Sequence, residues 1–241
     1  MDETAFRRWN EAMVEKYNLE LYHARAGFLV SFVEGCRKRR ILEFLQPEDA
    51  EWVLDVGCGA GHLLAAMPRG RLLGLDISHT VLRWARRRLG PPVTLHLADA
   101  ARLPIATGTV DKVCCSEVLE HVLDPSAVLS ELARIVKPTG VVVVSFPNEP
   151  LINRLKAWLP RSRLMPASGS NPDRYTMPER MDEEWHLHSF DLRSFRSLVD
   201  GVLRVEVVRA VPWAWLPIRY VVRCRPGHAT DGPTGPTGGR P

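Results

Sequence analysis

The chain has 241 residues, enough for one domain with a sizeable core and additions to it, and its formal net charge of +4 is too weak on its own to argue for nucleic acid. Five scattered cysteines (Cys36, Cys58, Cys114, Cys115 and Cys224), odd in number and without a C-x-x-C pair, argue against a disulfide framework and against a zinc site. The start, Met1-Asp2-Glu3-Thr4, lacks the apolar core of a secretory signal, and no apolar run approaches the roughly 20 residues that span a bilayer, so a reducing cytoplasm is the expected setting.

Residues from about Thr4 to Leu45 read as helical. Glu51 to Val56 is a short apolar run ending in glycines, which predicts a buried strand. His62 to Met67 begins a helix, and Arg71 to Asp76 reads as a second strand. Ser78 caps a helix that continues to Leu89 and breaks at Gly90-Pro91-Pro92. Val93 to Leu97, Val110 to Cys115 and Val141 to Phe146 are three further strands. A helix from Asp124 to Val136 separates the last two and is closed by Lys137-Pro138-Thr139-Gly140. This alternation predicts an α/β fold, a doubly wound and mostly parallel sheet covered on both faces. Such sheets bind ligands beyond the carboxyl ends of their strands.

The pattern changes after Phe146. Asn148 to Leu159 reads as a helix. Pro160 to Met181, rich in Pro, Ser, Arg and Asn, reads as an irregular insertion of the kind that forms lids or stays disordered. Asp191 to Asp200 is a helix capped by Asp191, followed by two closing strands at Leu203 to Arg209 and Ile218 to Cys224. The tail from Pro226, mostly Gly, Pro and Thr, is expected to be disordered. The expected organisation is a helical cap at 1–48, a ligand-binding core at 49–147, a substrate-side insertion or lid at 148–190, closing elements at 191–225 and a tail at 226–241.

Asp55-Val56-Gly57-Cys58-Gly59-Ala60-Gly61 joins the first strand to a helix. Glycines there permit a tight turn and close approach of backbone to ligand. A dinucleotide site would space them G-x-G-x-x-G, but here the third glycine comes one residue early and His62 stands where the pattern wants glycine. The shorter loop suits the amino-acid end of a nucleoside ligand, with no pyrophosphate to cradle. Asp76 ends the second strand, where an acidic residue accepts from ribose hydroxyls and repels a 2′-phosphate. Asp99, in Leu97-Ala98-Asp99-Ala100, follows the third strand, where its carboxylate can accept from an adenine amino group while the next N–H donates to the ring. Ser116-Glu117-Val118-Leu119-Glu120-His121 follows the fourth.

With these residues in this order, the chain resembles the class I methyltransferases, especially the small bacterial group that includes ubiquinone- and menaquinone-pathway enzymes. The resemblance runs over roughly residues 50 to 147, through Val53 to Gly61, Gly74-Leu75-Asp76-Ile77-Ser78, Ala98-Asp99-Ala100, Ser116 to His121 and Leu132 to Gly140. Thr139-Gly140 departs from the Gly-Gly common there. The resemblance implies S-adenosylmethionine as cofactor and a seven-stranded sheet closed by an antiparallel strand. It implies that Gly57, Cys58, Gly59 and Gly61 lie against the methionine part with Asp55 linked to its amino group. Asp76 would hold the ribose, Ile77 would pack on adenine, and Asp99 and Ala100 would read the adenine edge. Ser116 and Glu117 would offer backbone near the methionine end.

An activated sulfonium leaves little for catalytic groups beyond positioning and, for an oxygen or carbon nucleophile, a base. His188, in Glu184-Trp185-His186-Leu187-His188, is the candidate base, and resembling enzymes often carry a histidine near this point. His186 shares its side if the segment is extended; the pair has no companion Cys or Asp cluster, so no metal is expected. His121 follows the fourth strand near the reactive end, either as a helix-start histidine bonded to backbone or on the substrate side. Tyr17, Tyr22 and Trp185 line the acceptor side, or the tyrosines pack the N-terminal helix. The charge runs Arg37 to Arg40 and Arg86 to Arg88 read as solvated helix faces. The aromatic and basic stretches Lys156 to Leu164 and Trp213 to Pro217 read either as a peripheral membrane contact admitting a lipid-like acceptor or as a lid and a strand connection. The expected activity is methyl transfer to an oxygen or carbon of a small molecule. A non-catalytic binding or scaffold protein of the same fold, an RNA methyltransferase and an NAD-dependent oxidoreductase are the alternatives.

Overall fold

A computed structural model describes residues 1–17, 27–158 and 185–227. Tyr22, the insertion expected over Pro160 to Met181 and all but the first two residues of the tail lie outside the described residues. The long N-terminal helical region comprises α1 (Glu3–Tyr17) and α2 (Phe28–Leu45). Seven strands follow: β1 (Trp52–Val56), β2 (Arg71–Asp76), β3 (Thr94–Leu97), β4 (Val110–Ser116), β5 (Val136–Pro147), β6 (Leu203–Trp213) and β7 (Leu216–Pro226). Between them lie α3 (His79–Leu89), α4 (Pro125–Ile135), α5 (Glu149–Trp158) and α6 (Leu192–Val199). No helix among the described residues is long and apolar enough to cross a membrane.

The sheet runs β3-β2-β1-β4-β5-β7-β6. Its first five strands pair in parallel, and β7 is antiparallel to both neighbours, so the antiparallel strand sits one place in from the edge. The order reverses between β1 and β4, which opens a crevice at their carboxyl ends. Two cores explain why the strands are apolar without alternation. Leu54, Val113, Cys115, Val142 and Val144 face α4 and α6, through Leu129, Leu132, Phe195 and Val199. Their neighbours Val53, Cys114, Val141 and Val143 face the other way, toward Ile41 and Leu45 of α2 and Leu82 and Ala85 of α3. α1 is held over α3 by a third cluster of Val14, Tyr17, Val81 and Trp185.

The helix starts follow local chemistry. Ser78 accepts from the Val81 amide, Asp124 accepts from the amides of Ser126 and Ala127 with Pro125 at the first turn, and Asp191 and Ser194 form a reciprocal capping box. Two expectations are corrected. The helix expected from His62 to Met67 is only a short 3-10 turn at Leu64–Ala66. Met67 precedes Pro68, whose ring disfavours helical backbone in the residue before it, and Met67 is extended. The segment Lys137 to Gly140, expected as a turn, belongs instead to a longer β5, where the register with β4 shifts between Val110 and Lys112.

Gly140 is needed at that irregularity. A Cβ there would sit 2.7 Å from the Asp111 carbonyl oxygen and 2.5 Å from a Val136 methyl, and the backbone oxygen cannot swing aside. Gly140→Ala is therefore expected to lower unfolding stability by about 1–3 kcal/mol, the usual cost of overpacking, read from urea denaturation of the two proteins.

Candidate functional site

A cavity of about 950 Å³ opens at the carboxyl ends of β1, β2 and β4. Its floor is the glycine turn. Gly57, Gly59 and Gly61 have φ of 69°, 51° and 77°, in the left-handed region that side chains disfavour. At Gly57 the need is also steric, since a Cβ would lie 2.3 Å from a Val118 methyl. The amides of Gly57 and Cys58 both donate to the Leu75 carbonyl, and the Gly59 amide donates to Asp76 Oδ2 over 2.9 Å. The other Asp76 oxygen accepts from the Ser78 amide. Ala98 N–H donates to the Asp76 carbonyl, which sets Asp99 and Ala100 beside the end of β2. Gly61 does not line the cavity; a Cβ there would meet Leu89 at 2.7 Å, so this glycine lets α3 pack against the turn.

Asp55, Gly57, Cys58, Gly59, Asp76, Ile77, Asp99, Ala100, Ser116 and Glu117 all line this one cavity. Two of its carboxyls are perturbed. Burial, reinforced by the Asp76 charge and opposed by Arg37, pushes Asp55 up to about 7. Burial pushes Asp76 up to about 6 against the backbone amides that hold it ionised. A buried carboxylate pair short of cations suits a cationic or hydroxyl-rich ligand. Burial also keeps the Cys58 thiol protonated, so Cys58 contributes shape rather than a nucleophile.

The opposite wall is ionic. Glu117 is the residue after β4 and has φ of 56°, rare for a side-chain-bearing residue. Its carboxylate accepts from Ser145 Oγ and pairs with Arg219 of β7 at 2.8 Å. Arg219 also pairs with Glu34 of α2, and Glu34 pairs with Arg37, whose guanidinium reaches Ser116 Oγ. Burial works against the Arg37 charge, but Glu34 and Glu117 outweigh it and hold it protonated. Its Nε is buried without a hydrogen-bond partner among the described residues, and Arg37 lines the cavity. Such a guanidinium can hold a carboxylate. Arg37 was hidden in a charge run read as a solvated face. The signal was its spacing: Val33, Ile41 and Leu45 are buried, and the half-buried Arg37 falls on the same stripe at intervals of four.

The far end of the cavity gathers three histidines. His121 Nδ1 lies 3.2 Å from the Trp185 carbonyl and its ring centre 4.7 Å from that of His186. His186 Nδ1 meets Glu149 Oε1 at 2.5 Å. His188 Nε2 lies 2.9 Å from the Val122 carbonyl. A carbonyl only accepts, so Nε2 carries the proton and Nδ1 is the lone-pair nitrogen of neutral His188. The two histidines of the Trp185 segment therefore part: His186 joins Glu120 and His121, with donor atoms of all three within 4.8 Å, and His188 does not. The companions that the sequence failed to show for His186 come from after β4. Glu120 Oε2 is buried with no hydrogen-bond partner among the described residues, and burial with the Glu117 charge pushes its carboxyl well above the usual range. Two imidazoles and a carboxylate form a donor set that can hold a divalent ion. Trp185 lines the cavity, whereas Tyr17, fully buried, stacks behind it at 5.9 Å and packs α1.

Residues 54–144 match a family profile described as methyltransferase domain. Among curated relatives, the ubiquinone biosynthesis O-methyltransferase of Thiobacillus denitrificans is 43% identical over 102 residues, 40% of this chain and 44% of that protein. A probable S-adenosylmethionine-dependent methyltransferase of Mycolicibacterium smegmatis is 37% identical over 99 residues, 40% of this chain and 38% of that one. The match thus spans less than half the length of these relatives. Among solved structures, the PH0226 protein of Pyrococcus horikoshii superposes with a TM-score of 0.65 at 20% identity, over 88% of this chain and 99% of that one, which is a likeness of fold. Residues 54–144 thus carry a methyltransferase domain similar to that of proteins named as S-adenosylmethionine-dependent methyltransferases.

Proposed function

We propose that the protein transfers the methyl group of S-adenosylmethionine to an oxygen or carbon of a small, largely apolar acceptor by in-line displacement. The observation that carries this is one continuous cavity, with a glycine turn and two perturbed carboxyls at one end and three histidines at the other. In this reading Asp55 takes the methionine ammonium, Arg37 its carboxylate, Asp76 the ribose hydroxyls, Ile77 the adenine face, and Asp99 with the Ala100 amide the adenine edge. Asp76 already accepts two amides, but a carboxylate has about four lone-pair sites, which leaves room for a diol.

The acceptor's electron pair forms the new bond to the methyl carbon as the carbon–sulfur pair returns to sulfur, leaving a neutral thioether. His188 Nδ1 takes the proton of the acceptor O–H or acidic C–H. Holding nucleophile and methyl in line supplies roughly 7–11 kcal/mol of the barrier, so no further group has to act on the sulfonium. Leu29, Val30, Ile152, Trp213 and Leu216 line the acceptor side, which favours an apolar body carrying one ionisable nucleophile.

Four measurements test this. Calorimetry should show S-adenosylmethionine binding that weakens at least about tenfold in Asp76→Ala, as expected from losing hydrogen bonds to a charged group worth about 1.5–3 kcal/mol each; an unchanged Kd refutes the ribose assignment. Wild-type affinity should fall as pH drops through 7 and then 6, as Asp55 and Asp76 protonate. Their folded values lie above the ordinary carboxyl value, so in the ligand-free protein they favour the folded state below pH 4 and this contribution is lost as pH rises toward 7. Asp55→Asn should accordingly raise the ligand-free Tm at pH 8 and not at pH 4, while weakening cofactor binding. Once an extract metabolite that gains one methylene is found, His188→Ala should lower turnover about 100- to 10,000-fold with cofactor Kd unchanged. Loss confined to His186→Ala would assign the base to the His186–Glu149 pair.

A further inference from the structure

We propose that the start of α2 and the β6–β7 hairpin form a docking surface for an anionic lipid bilayer, placed at the mouth of the cavity. Four rings make a continuous chain across these two elements. Phe28 stacks on Phe32 at 6.4 Å, Phe32 meets Trp213 at 5.7 Å, and Trp213 lies parallel to Trp215 at 5.1 Å. All four are exposed, Phe28 at 87% and Trp215 at 75% of their surface. Single exposed apolar residues are ordinary, but a contiguous aromatic patch marks an interaction site.

Charge selects the partner. Of the eight arginines and lysines over residues 27–40 and 207–226, Arg37 and Arg219 pair with the buried Glu34, Arg40 with Glu43, and Arg223 and Arg225 with Glu206, which leaves Lys38, Arg39 and Arg209. Arg39 and Arg209 are exposed and have no acidic partner among the described residues. Arg39 lies seven residues beyond Phe32, on the same helix face. Arg40 and Arg209 line a shallow groove beside the Trp213–Trp215 pair. Interfacial tryptophans rimmed by cations fit the level of lipid headgroups over a negative surface, where each Lys or Arg adds about fivefold to partitioning.

Position ties the surface to the site. Trp213 and Leu29 lie on the cavity wall as well as in the exposed patch. A bilayer held there would present an apolar acceptor to the cavity without passage through water. That link rests on the methyl-transfer reading; the surface does not.

The test is co-sedimentation of the full chain with vesicles of phosphatidylcholine containing about one third phosphatidylglycerol, and with pure phosphatidylcholine. Wild type should pellet with the anionic vesicles, release at high salt and bind the neutral ones weakly. The pair Phe28→Ser and Trp215→Ser should weaken binding at least tenfold, and Arg39→Ala with Arg209→Ala about twentyfold. All four side chains are exposed, so folding should survive, and calorimetry with S-adenosylmethionine should give wild-type affinity for each variant. Cofactor binding with no vesicle binding by wild type overturns the surface and leaves the methyltransferase reading standing. So does vesicle binding that the variants retain in full. A concentration-dependent dimer that Trp215→Ser abolishes, with no vesicle binding, would instead make the patch a contact between two copies of the chain.

Discussion

On the floor of the cavity the Gly59 amide points at the Asp76 carboxylate across 2.9 Å, and the surrounding geometry is arranged to keep it there. The amide faces that way because the chain turns left-handed at Gly57 and again at Gly59. It can turn because no Cβ stands between Gly57 and Val118. The same carboxylate receives the first amide of the α3 cap, so one side chain joins the ends of β1 and β2 to the start of a helix. Glu11 of α1 completes this junction by accepting from Ser78 Oγ and the His79 amide. One carboxylate thus organises three elements around the cavity.

The second constraint is the buried ionic frame of Arg37, Glu34, Arg219 and Glu117. Taking four charges out of water is costly, and their mutual attraction offsets this only with good geometry, so the frame is poorly explained as a device for stability. What it does is fix position. It ties α2 to the ends of β4 and β7 across the cavity and holds Glu117 in a backbone conformation it would not adopt alone. Strain maintained by a network next to a cavity is more often a feature of working sites than of scaffolds.

The sequence is most legible where chemistry is local. The glycine turn, the Ser78, Asp124 and Asp191 caps and the apolar strands each depend on a few neighbouring residues, and apart from β5 and β6, which runs four residues past the expected Arg209, their bounds fall within a residue or two of expectation. β5 began early because Gly140 answers to Asp111 on another strand, which no local pattern reports. Arg37 stayed hidden for the same reason: its partner Ser116 lies 79 residues away, and a charge run reads as solvent-facing until the helix phase is counted. The histidines were found as residue types but not as a set. Their grouping depends on the Trp185 segment crossing the loop after β4, where the amides of Leu187 and His188 both donate to the Glu120 carbonyl.

That crossing also separates the roles open to the two histidines of the segment. Once the Glu120 carbonyl has taken both amides, the chain there is fixed, and alternate side chains go to different neighbours. His188 donates from Nε2 to a backbone carbonyl, a neutral acceptor that sets the tautomer without adding charge. His186 meets a carboxylate, Glu149, which only accepts when ionised and so takes a proton carried on Nδ1. A base that must give up its proton after each turnover is better served by the neutral partner. A group that must stay charged, or bind an ion beside Glu120, is better served by the carboxylate. The two rings line the same cavity and differ in the partner each one meets.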